Sequence, residues 1–263
     1  MERTALTLAP AKLVDELDVM LGDSDPAQAV IAFDGDGTLW SGDVGEDLFR
    51  EALARTFLLD SALPALQAEA ERYQVPLGPA EADANGVARA LFAAYLAGQY
   101  PERETCAMMT WCYAGHALSA VEALATDVLQ REGLRRRLQR ELQPVMDWAR
   151  ARGVRRVLIS ASPRAIVEPA AAYWDISPSD VAAATPAVQG GIVAPFLAGY
   201  VPYAETKLSA GQELFGTARW LAAFGDNVFD IDMLKAAELG VAVRPKPKLQ
   251  RELAALGLRL LAG

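Results

Sequence analysis

Two carboxylates stand one residue apart where an apolar run ends in a glycine-bearing loop. Asp34 and Asp36, within the segment Asp34–Thr38, come directly after the run Ala29–Phe33. Ligands and chemistry collect at the carboxyl ends of strands in open α/β sheets. Burying two acids side by side is costly unless a cation or a positively charged partner compensates them. The pair therefore predicts a metal-dependent enzyme.

Three further groups of polar or small residues follow predicted strand ends or begin predicted helices. They are Ser160 with Ala161 ahead of Pro163, then Lys207, and then Asp226 with Asn227 and Asp230. Backbone N–H groups at a helix start suit an anion, and a serine hydroxyl can donate to the same anion. One edge of one sheet can hold all four groups, so we expect them to form a single site.

This set of side chains matches phosphoryl transfer assisted by a hard cation. Mg²⁺ prefers a few carboxylate oxygens together with water and phosphate. One carboxylate can attack phosphorus while a second carboxylic acid protonates the leaving oxygen. Hydroxyl, lysine and backbone N–H groups can then stabilise the equatorial oxygens. The sequence thus predicts an enzyme that uses Mg²⁺ and acts on a phosphate ester.

The elements that position these residues alternate between strand and helix, except in one long interval. Between about 43 and 143, alanine and leucine recur at helical spacing without β-branched runs, which predicts an all-helical insertion. Elsewhere the pattern predicts an α/β fold, a Rossmann-like parallel sheet with helices on both faces. The predicted strands lie at 29–34, 154–160, 220–224, 240–243 and 258–260, and the stretch 181–202 is predicted to form short strands that turn at Gly190-Gly191.

The order of these groups resembles the four motifs of the haloacid dehalogenase superfamily. The matching motifs, over residues 29 to about 245, are Asp34-x-Asp36-x-Thr38, Ser160, Lys207 and Gly225-Asp226-x-x-x-Asp230. The helical insertion is similar to the cap of the phosphoserine phosphatase-like branch. By this resemblance, residues 1–42 and 144–263 form an α/β catalytic core. Residues 43–143 form an all-helical cap domain that closes over the site.

The resemblance implies a role for each matching residue. Asp34 would be the nucleophile that forms an aspartyl-phosphate, and Asp36 would be the general acid and then the base that activates water. Mg²⁺ would be held by the Asp34 carboxylate, the Asp36 backbone carbonyl and the Asp226 carboxylate. The phosphate would be bound by Thr38, Ser160, Ala161 and Lys207, and the site would be supported by Asn227 and Asp230.

Two residues depart from what the phosphoserine phosphatase-like branch typically shows. Asp43 stands nine residues after the first motif aspartate, where phosphoserine phosphatases typically carry a glutamate that meets the substrate amine. Trp40 stands where a smaller residue is common. Both residues are candidate substrate contacts. The resemblance therefore favours the branch without favouring serine as the leaving group.

Composition limits the partners and the location of the protein. The chain has 263 residues, a net charge of −9 and a pI of about 4.8. An acidic surface argues against nucleic acid or an anionic membrane and leaves a small-molecule phosphate ester as the expected partner. Two cysteines, Cys106 and Cys112, are too few for a disulfide framework. With no signal peptide and no apolar run of about 20 residues, we expect a cytoplasmic enzyme.

The leading hypothesis is an Mg²⁺-dependent phosphatase for a small phosphomonoester, and three alternatives stay open. A phosphomutase would keep the same motifs but protect its phosphoryl group from hydrolysis by water. A haloacid dehalogenase would use an aspartate nucleophile without Mg²⁺ or the second acid, so Asp36 and Asp226 weigh against it. A catalytically silent regulatory protein on this fold is the third alternative.

Overall fold

The computed structural model describes residues 6–263, and its backbone alternates strands with helices. Most of the strands belong to one parallel sheet, and two of them form a separate antiparallel hairpin. The strands are β1 (Thr7–Leu8), β2 (Ala29–Phe33), β3 (Arg155–Pro163), β4 (Val181–Ala184), β5 (Pro186–Gln189), β6 (Ile192–Leu197), β7 (Arg219–Gly225), β8 (Leu239–Val243) and β9 (Arg259–Leu261).

The helices lie on both faces of the sheet, with one long helical run between β2 and β3. The helices are α1 (Pro10–Leu21), α2 (Val44–Ala54), α3 (Leu63–Arg72), α4 (Ala84–Leu96), α5 (Glu102–Trp111), α6 (Leu118–Arg131), α7 (Leu134–Arg137), α8 (Gln143–Arg152), α9 (Arg164–Ala171), α10 (Glu205–Phe215), α11 (Ile231–Ala236) and α12 (Pro247–Leu256).

The strand that leads into the first motif lies in the middle of the sheet. The strand order is β1-β9-β8-β7-β2-β3-β4, and all of these strands are parallel. Every residue of β2 is buried, because both faces of a parallel sheet are covered. Phe33 at its end pairs in register with Leu158 of β3 and Phe224 of β7. The three strands that carry polar residues at their ends are therefore neighbours.

Alternate residues of β2 pack into two separate apolar clusters, one on each face of the sheet. Ile31 and Phe33 belong to the cluster shared with α1, α8, α9 and the helical run. Val30 and Ala32 belong to the cluster under α10, α11 and α12. Phe33 stacks on Phe224 with ring centroids 4.6 Å apart. This packing fixes the backbone positions from which the polar loops leave the sheet.

The α/β prediction is confirmed, with two differences in detail. Strand β3 runs on to Pro163, and α9 begins only at Arg164, because Pro163 still pairs with Ala184 of β4. The short edge strand β1 was not predicted. No helix within the described range 6–263 has the length and apolar character needed to cross a membrane.

The helical segment, which we define as residues 44–137, is connected to the sheet by two adjacent linkers. Trp40 forms an antiparallel bridge with Leu138. Ser41 N donates to the carbonyl oxygen of Arg137 at 2.9 Å, and Gln139 N donates to that of Leu39 at 3.0 Å. The entry and exit of the segment therefore run side by side, directly beyond the first motif.

Candidate active site

The loop after β2 is tied to the neighbouring strand end and needs a glycine at one position. Asp34 N donates to the Phe224 carbonyl oxygen at 2.9 Å, which extends the β2–β7 ladder by one residue. Gly37 has φ +89°, and a Cβ there would lie 2.1 Å from Oδ2 of Asp226. A side chain at position 37 is therefore excluded both by the backbone conformation and by the Asp226 carboxylate.

Asp34 faces a buried lysine that it shares with a second acid. Lys207 Nζ, in the first turn of α10, lies 2.5 Å from Oδ1 of Asp34 and 2.5 Å from Oδ1 of Asp230. Burial lowers the pKa of Lys207, but attraction by Asp230 and Asp34 outweighs it and raises that pKa above its usual range. Burial raises the pKa of Asp34 to about 8, against the attraction of Lys207. The lysine holds the Asp34 carboxylate in a fixed orientation.

Asp36 is held by three donors from two different parts of the chain. Its Oδ1 accepts from the indole Nε1 of Trp40 at 2.7 Å and from Val44 N at 2.8 Å. Its Oδ2 accepts from the Ser162 hydroxyl at 2.7 Å. Burial raises the pKa of Asp36, and the hydrogen bonds from Ser162, Trp40 and Val44 oppose that rise. The carboxyl group thus has one defined rotamer next to Asp34.

The fourth motif brings two more carboxylates to the same place. One oxygen each of Asp34, Asp226 and Asp230 lies within 4.8 Å of the others, and all three residues are buried. Oδ2 of Asp230 accepts from Asp226 N at 3.0 Å and from Asn227 N at 2.9 Å, so this carboxylate ties the loop to the lysine. Burial raises the pKa of Asp226 to about 6, although Lys246 lowers it.

Ser160 enters the site from the end of β3, and no acceptor within residues 6–263 takes its hydroxyl proton. Ser160 is almost fully buried, and its Oγ accepts from Ser162 N at 3.1 Å. Since Oγ is the acceptor in that bond, its O–H remains available as a donor. Ser160 and Ala161 both line the central cavity, whose volume is about 60 Å³. The anion-binding groups therefore come from the strand end, not from the helix start that the sequence predicts.

Two predicted site residues lie outside this cavity. Thr38 is fully buried, and its hydroxyl donates to Oδ2 of Asp34 at 3.3 Å, so it orients Asp34. Trp40 is also fully buried and donates to Asp36, which corrects its interpretation as a substrate contact. Both side chains point inward because the loop closes over them through Gly37 N, which donates to the Trp40 carbonyl oxygen at 2.8 Å.

Asp43, the other candidate substrate contact, does line the cavity. It also caps α2, because its Oδ1 accepts from Glu46 N at 2.8 Å. Burial and the nearby Asp36 carboxylate raise its pKa well above the usual range.

Several residues that line the cavity were not identified as site residues from the sequence. They are Glu102 and Cys106 of α5, Tyr203, Phe229 and Lys246. Lys246 Nζ lies 3.4 Å from Oδ2 of Asp226, and Lys246 N donates to the Asp226 carbonyl oxygen at 2.7 Å. Lys246 follows the strand end of β8, so the same strand-end rule that found Asp226 applies to it. For the α5 residues no spacing signal exists, because only tertiary packing brings α5 to the sheet edge.

The fold and this arrangement define an α/β protein whose polar site lies at the carboxyl edge of the central strands. The chain belongs to the haloacid dehalogenase-like hydrolase family, which matches residues 31–235. The family membership agrees with the motif order and makes the protein a hydrolase. No curated protein matches the chain.

Solved structures share the fold at low sequence identity. A protein with unknown function from Bordetella pertussis Tohama I has a TM-score of 0.68 and 20% identity, covering 89% of this chain and 98% of that one. A functionally unknown protein from Anaerococcus prevotii has a TM-score of 0.68 and 13% identity, covering 99% and 93%. A HAD family hydrolase from Salmonella enterica serovar Typhi has a TM-score of 0.57 and 16% identity, covering 95% and 74%.

Proposed function

We propose that the protein is an Mg²⁺-dependent phosphatase that hydrolyses a small phosphomonoester through an aspartyl-phosphate on Asp34. The observation that carries the proposal is the group of three buried carboxylates, with oxygens within 4.8 Å of one another, beside a buried lysine. Such a group is costly to bury without a cation, and carboxylate oxygens are the ligands that Mg²⁺ prefers.

The residues present fit a hard divalent cation. Asp226 offers a buried carboxylate whose only close cation within residues 6–263 is the half-exposed Lys246, at 3.4 Å. The Asp230 oxygens already accept from Lys207 and two backbone amides, so Asp230 is a supporting residue. Asp34, the Asp36 carbonyl and Asp226 would hold the ion. Bound there, Mg²⁺ would neutralise charge on the transferring phosphoryl group.

In the first chemical step, the Asp34 carboxylate attacks phosphorus and the bond from phosphorus to the leaving oxygen breaks. Asp36 donates its proton to that oxygen. Oδ1 of Asp36 accepts hydrogen bonds from two N–H groups, which can only donate. The Ser162 hydroxyl at Oδ2 can either donate or accept. The proton of the acid form therefore sits on Oδ2. Ser160 and Lys207 stabilise the equatorial oxygens in this step.

In the second step, water attacks the aspartyl-phosphate, Asp36 takes the water proton, and the Asp34 carboxylate leaves. The acid of the first step is the base of the second, so its pKa must lie near neutrality. Burial moves the pKa of Asp36 upward in that direction. This second use of Asp36 is unnecessary for dehalogenation and favours the phosphatase over that alternative.

We also propose that residues 43–143 act as a cap over a core of residues 1–42 and 144–263. Glu102 and Cys106 of α5 line the cavity, so the helical segment forms part of its wall. Arg103 of α5 pairs with Glu205 of α10 at 2.5 Å, on the outer side of this contact. Such a wall excludes water while the aspartyl-phosphate forms. We place the enzyme in the cytoplasm.

The test is release of inorganic phosphate from an aryl phosphate by the purified chain. We expect turnover with Mg²⁺, none after chelation by EDTA, and recovery when Mg²⁺ is added back. Asp34→Asn should abolish turnover, while Asp232→Asn, at an exposed position on α11, should not change it. Equal turnover in the chelated enzyme, or in Asp34→Asn, would refute the proposal.

A further inference from the structure

Part of the cavity wall is acidic and aromatic. Glu102 of α5 and Asp43 contribute carboxylates to it. Tyr203 and Phe229 contribute rings whose centroids are 4.5 Å apart. This part of the wall holds none of the groups assigned above to the phosphate, so the leaving group of a phosphomonoester would be placed against it.

Within residues 6–263, Glu102 forms no ion pair of its own. The attraction of Lys246 and Lys207 lowers the pKa of Glu102, although burial raises it more, so both lysines are within electrostatic reach. Those lysines are engaged elsewhere, Lys246 with Asp226 and Lys207 with Asp34. The neighbouring Arg103 pairs with Glu205 at 2.5 Å. A half-buried carboxylate without a partner is unfavourable, and a bound cation would satisfy it.

The charge of the whole cavity points the same way. Its lining holds six carboxylates and two ammonium groups. A divalent cation and a phosphate dianion cancel each other, so binding both leaves the negative excess in place. Protons held on Asp36 and on Asp43, whose pKa burial raises well above its usual range, reduce the excess without removing it, because four carboxylates still face two ammonium groups. A positively charged leaving group lowers the electrostatic cost of binding, and a leaving group with a carboxylate raises it.

The lining also has no group that would recognise a carboxylate. Among residues 6–263, none of those that line the cavity is an arginine, the side chain best suited to bidentate carboxylate binding.

Resting on the proposed phosphatase function, we propose that the substrate is the phosphomonoester of a small amino alcohol without a carboxylate, and that Glu102 binds its ammonium group. The ring of Phe229 provides further favourable contact for a cation. One face of the Tyr203 ring is already occupied by the guanidinium of Arg103, which lies 5.5 Å from the ring centroid. Glu102 is thus the specificity-determining residue of the site.

The experiment compares kcat/KM for three substrates: 2-aminoethyl phosphate, its neutral isostere propyl phosphate, and O-phosphoserine, which adds a carboxylate. We expect 2-aminoethyl phosphate to exceed both others by about tenfold or more, the usual size of one charge-assisted contact. Glu102→Gln should reduce the preference over propyl phosphate to about threefold or less. Glu252→Gln, the same change at an exposed position of α12, should not alter this preference.

Two results would overturn the inference. One is wild-type enzyme that hydrolyses propyl phosphate or O-phosphoserine as well as 2-aminoethyl phosphate. The other is an equal loss for all three substrates in Glu102→Gln, which would indicate a structural role for Glu102. Failure of the proposed phosphatase function looks different, because the wild-type enzyme would then release no phosphate from any of the three esters or from an aryl phosphate.

Discussion

The indole Nε1 of Trp40 donates a 2.7 Å hydrogen bond to Oδ1 of Asp36, and both residues belong to the same short loop. Trp40 is fully buried, so its ring cannot move without disturbing the core. The sequence suggested a substrate contact at this position. The structure shows instead a side chain that fixes the orientation of the proposed general acid.

Trp40→Phe should therefore slow the chemistry without weakening substrate binding. The substitution keeps most of the ring and removes the donor, so Asp36 loses one of three hydrogen bonds. We expect kcat to fall about tenfold, since a hydrogen bond to a charged group contributes about 1.5–3 kcal/mol. Steady-state kinetics on an aryl phosphate should show KM within about twofold of the wild type, as expected for a positioning role. Trp148→Phe is the control, because the indole Nε1 of Trp148 donates to Asp18 and not to Asp36. A raised KM with unchanged kcat would contradict this role.

Lys207→Met should destabilise the fold as well as abolish activity. Removing the ammonium group leaves the carboxylates of Asp34 and Asp230 buried without their shared partner. Loss of one partner of a buried ion pair costs about 3–5 kcal/mol. Urea denaturation without Mg²⁺ should show a free energy of unfolding lower by about that amount. Lys235→Met, on the exposed face of α11, should leave it unchanged.

The double variant Lys207→Met with Asp230→Asn separates the lost pairing from the lost side-chain volume. If unpaired charge is the cause, neutralising Asp230 should recover part of the stability, and the two changes should be non-additive. Strictly additive losses would show that Lys207 contributes packing only.

Gly37→Ala should remove metal-dependent activity, whereas Gly98→Ala should not. Both glycines have positive φ, +89° and +73°, so the backbone strain from alanine is similar, about 1–2 kcal/mol. Only at position 37 would the new Cβ approach another group, Oδ2 of Asp226 at 2.1 Å. Measured Mg²⁺ activation should be lost in the first variant and retained in the second. Equal behaviour of the two variants would mean that the Asp226 carboxylate is not held against this loop.

Stabilisation by Mg²⁺ should grow as the pH rises from about 5 to 8. In the metal-free protein, burial raises the pKa of Asp34 to about 8 and that of Asp226 to about 6. Their folded-state values exceed the unfolded ones, so the folded chain holds more protons and loses stability as pH rises through this window. Mg²⁺ requires the deprotonated carboxylates, so it offsets more of this loss at higher pH.

Thermal melts with and without Mg²⁺ at several pH values measure this effect. The shift in Tm should increase with pH in the wild type and be absent in Asp226→Asn. A Tm shift that is independent of pH would place the ion elsewhere.

The sequence predicted the core of this site because its residues follow a rule that needs no tertiary information. Acids after Ala29–Phe33 and Arg219–Gly225, and a serine in Arg155–Pro163, stand at the carboxyl ends of parallel strands, which meet at one edge. Lys207 was found by its order in the motifs. The loop's internal hydrogen bonds could not be foreseen, because the orientation of Trp40 depends on packing beneath the loop.

The acidic part of the cavity wall could not be predicted from the sequence, for a different reason. Glu102 and Cys106 reach the cavity only because α5 packs beside β3. Helical spacing within 43–143 shows which residues form a core but not which end of which helix meets the sheet edge. Lys246 is the exception, since it follows β8 and was simply not considered as a strand-end residue.

The most direct test of the account is to trap the covalent intermediate during turnover. The wild-type enzyme is mixed with a phosphomonoester and Mg²⁺, quenched in acid, reduced with borohydride and digested for peptide mass spectrometry. An aspartyl-phosphate is reduced to homoserine, so we expect homoserine at position 34 only when both substrate and Mg²⁺ are present. Rapid phosphate release with Asp34 unmodified, or with the label at another residue, would contradict the assignment of Asp34 as the nucleophile.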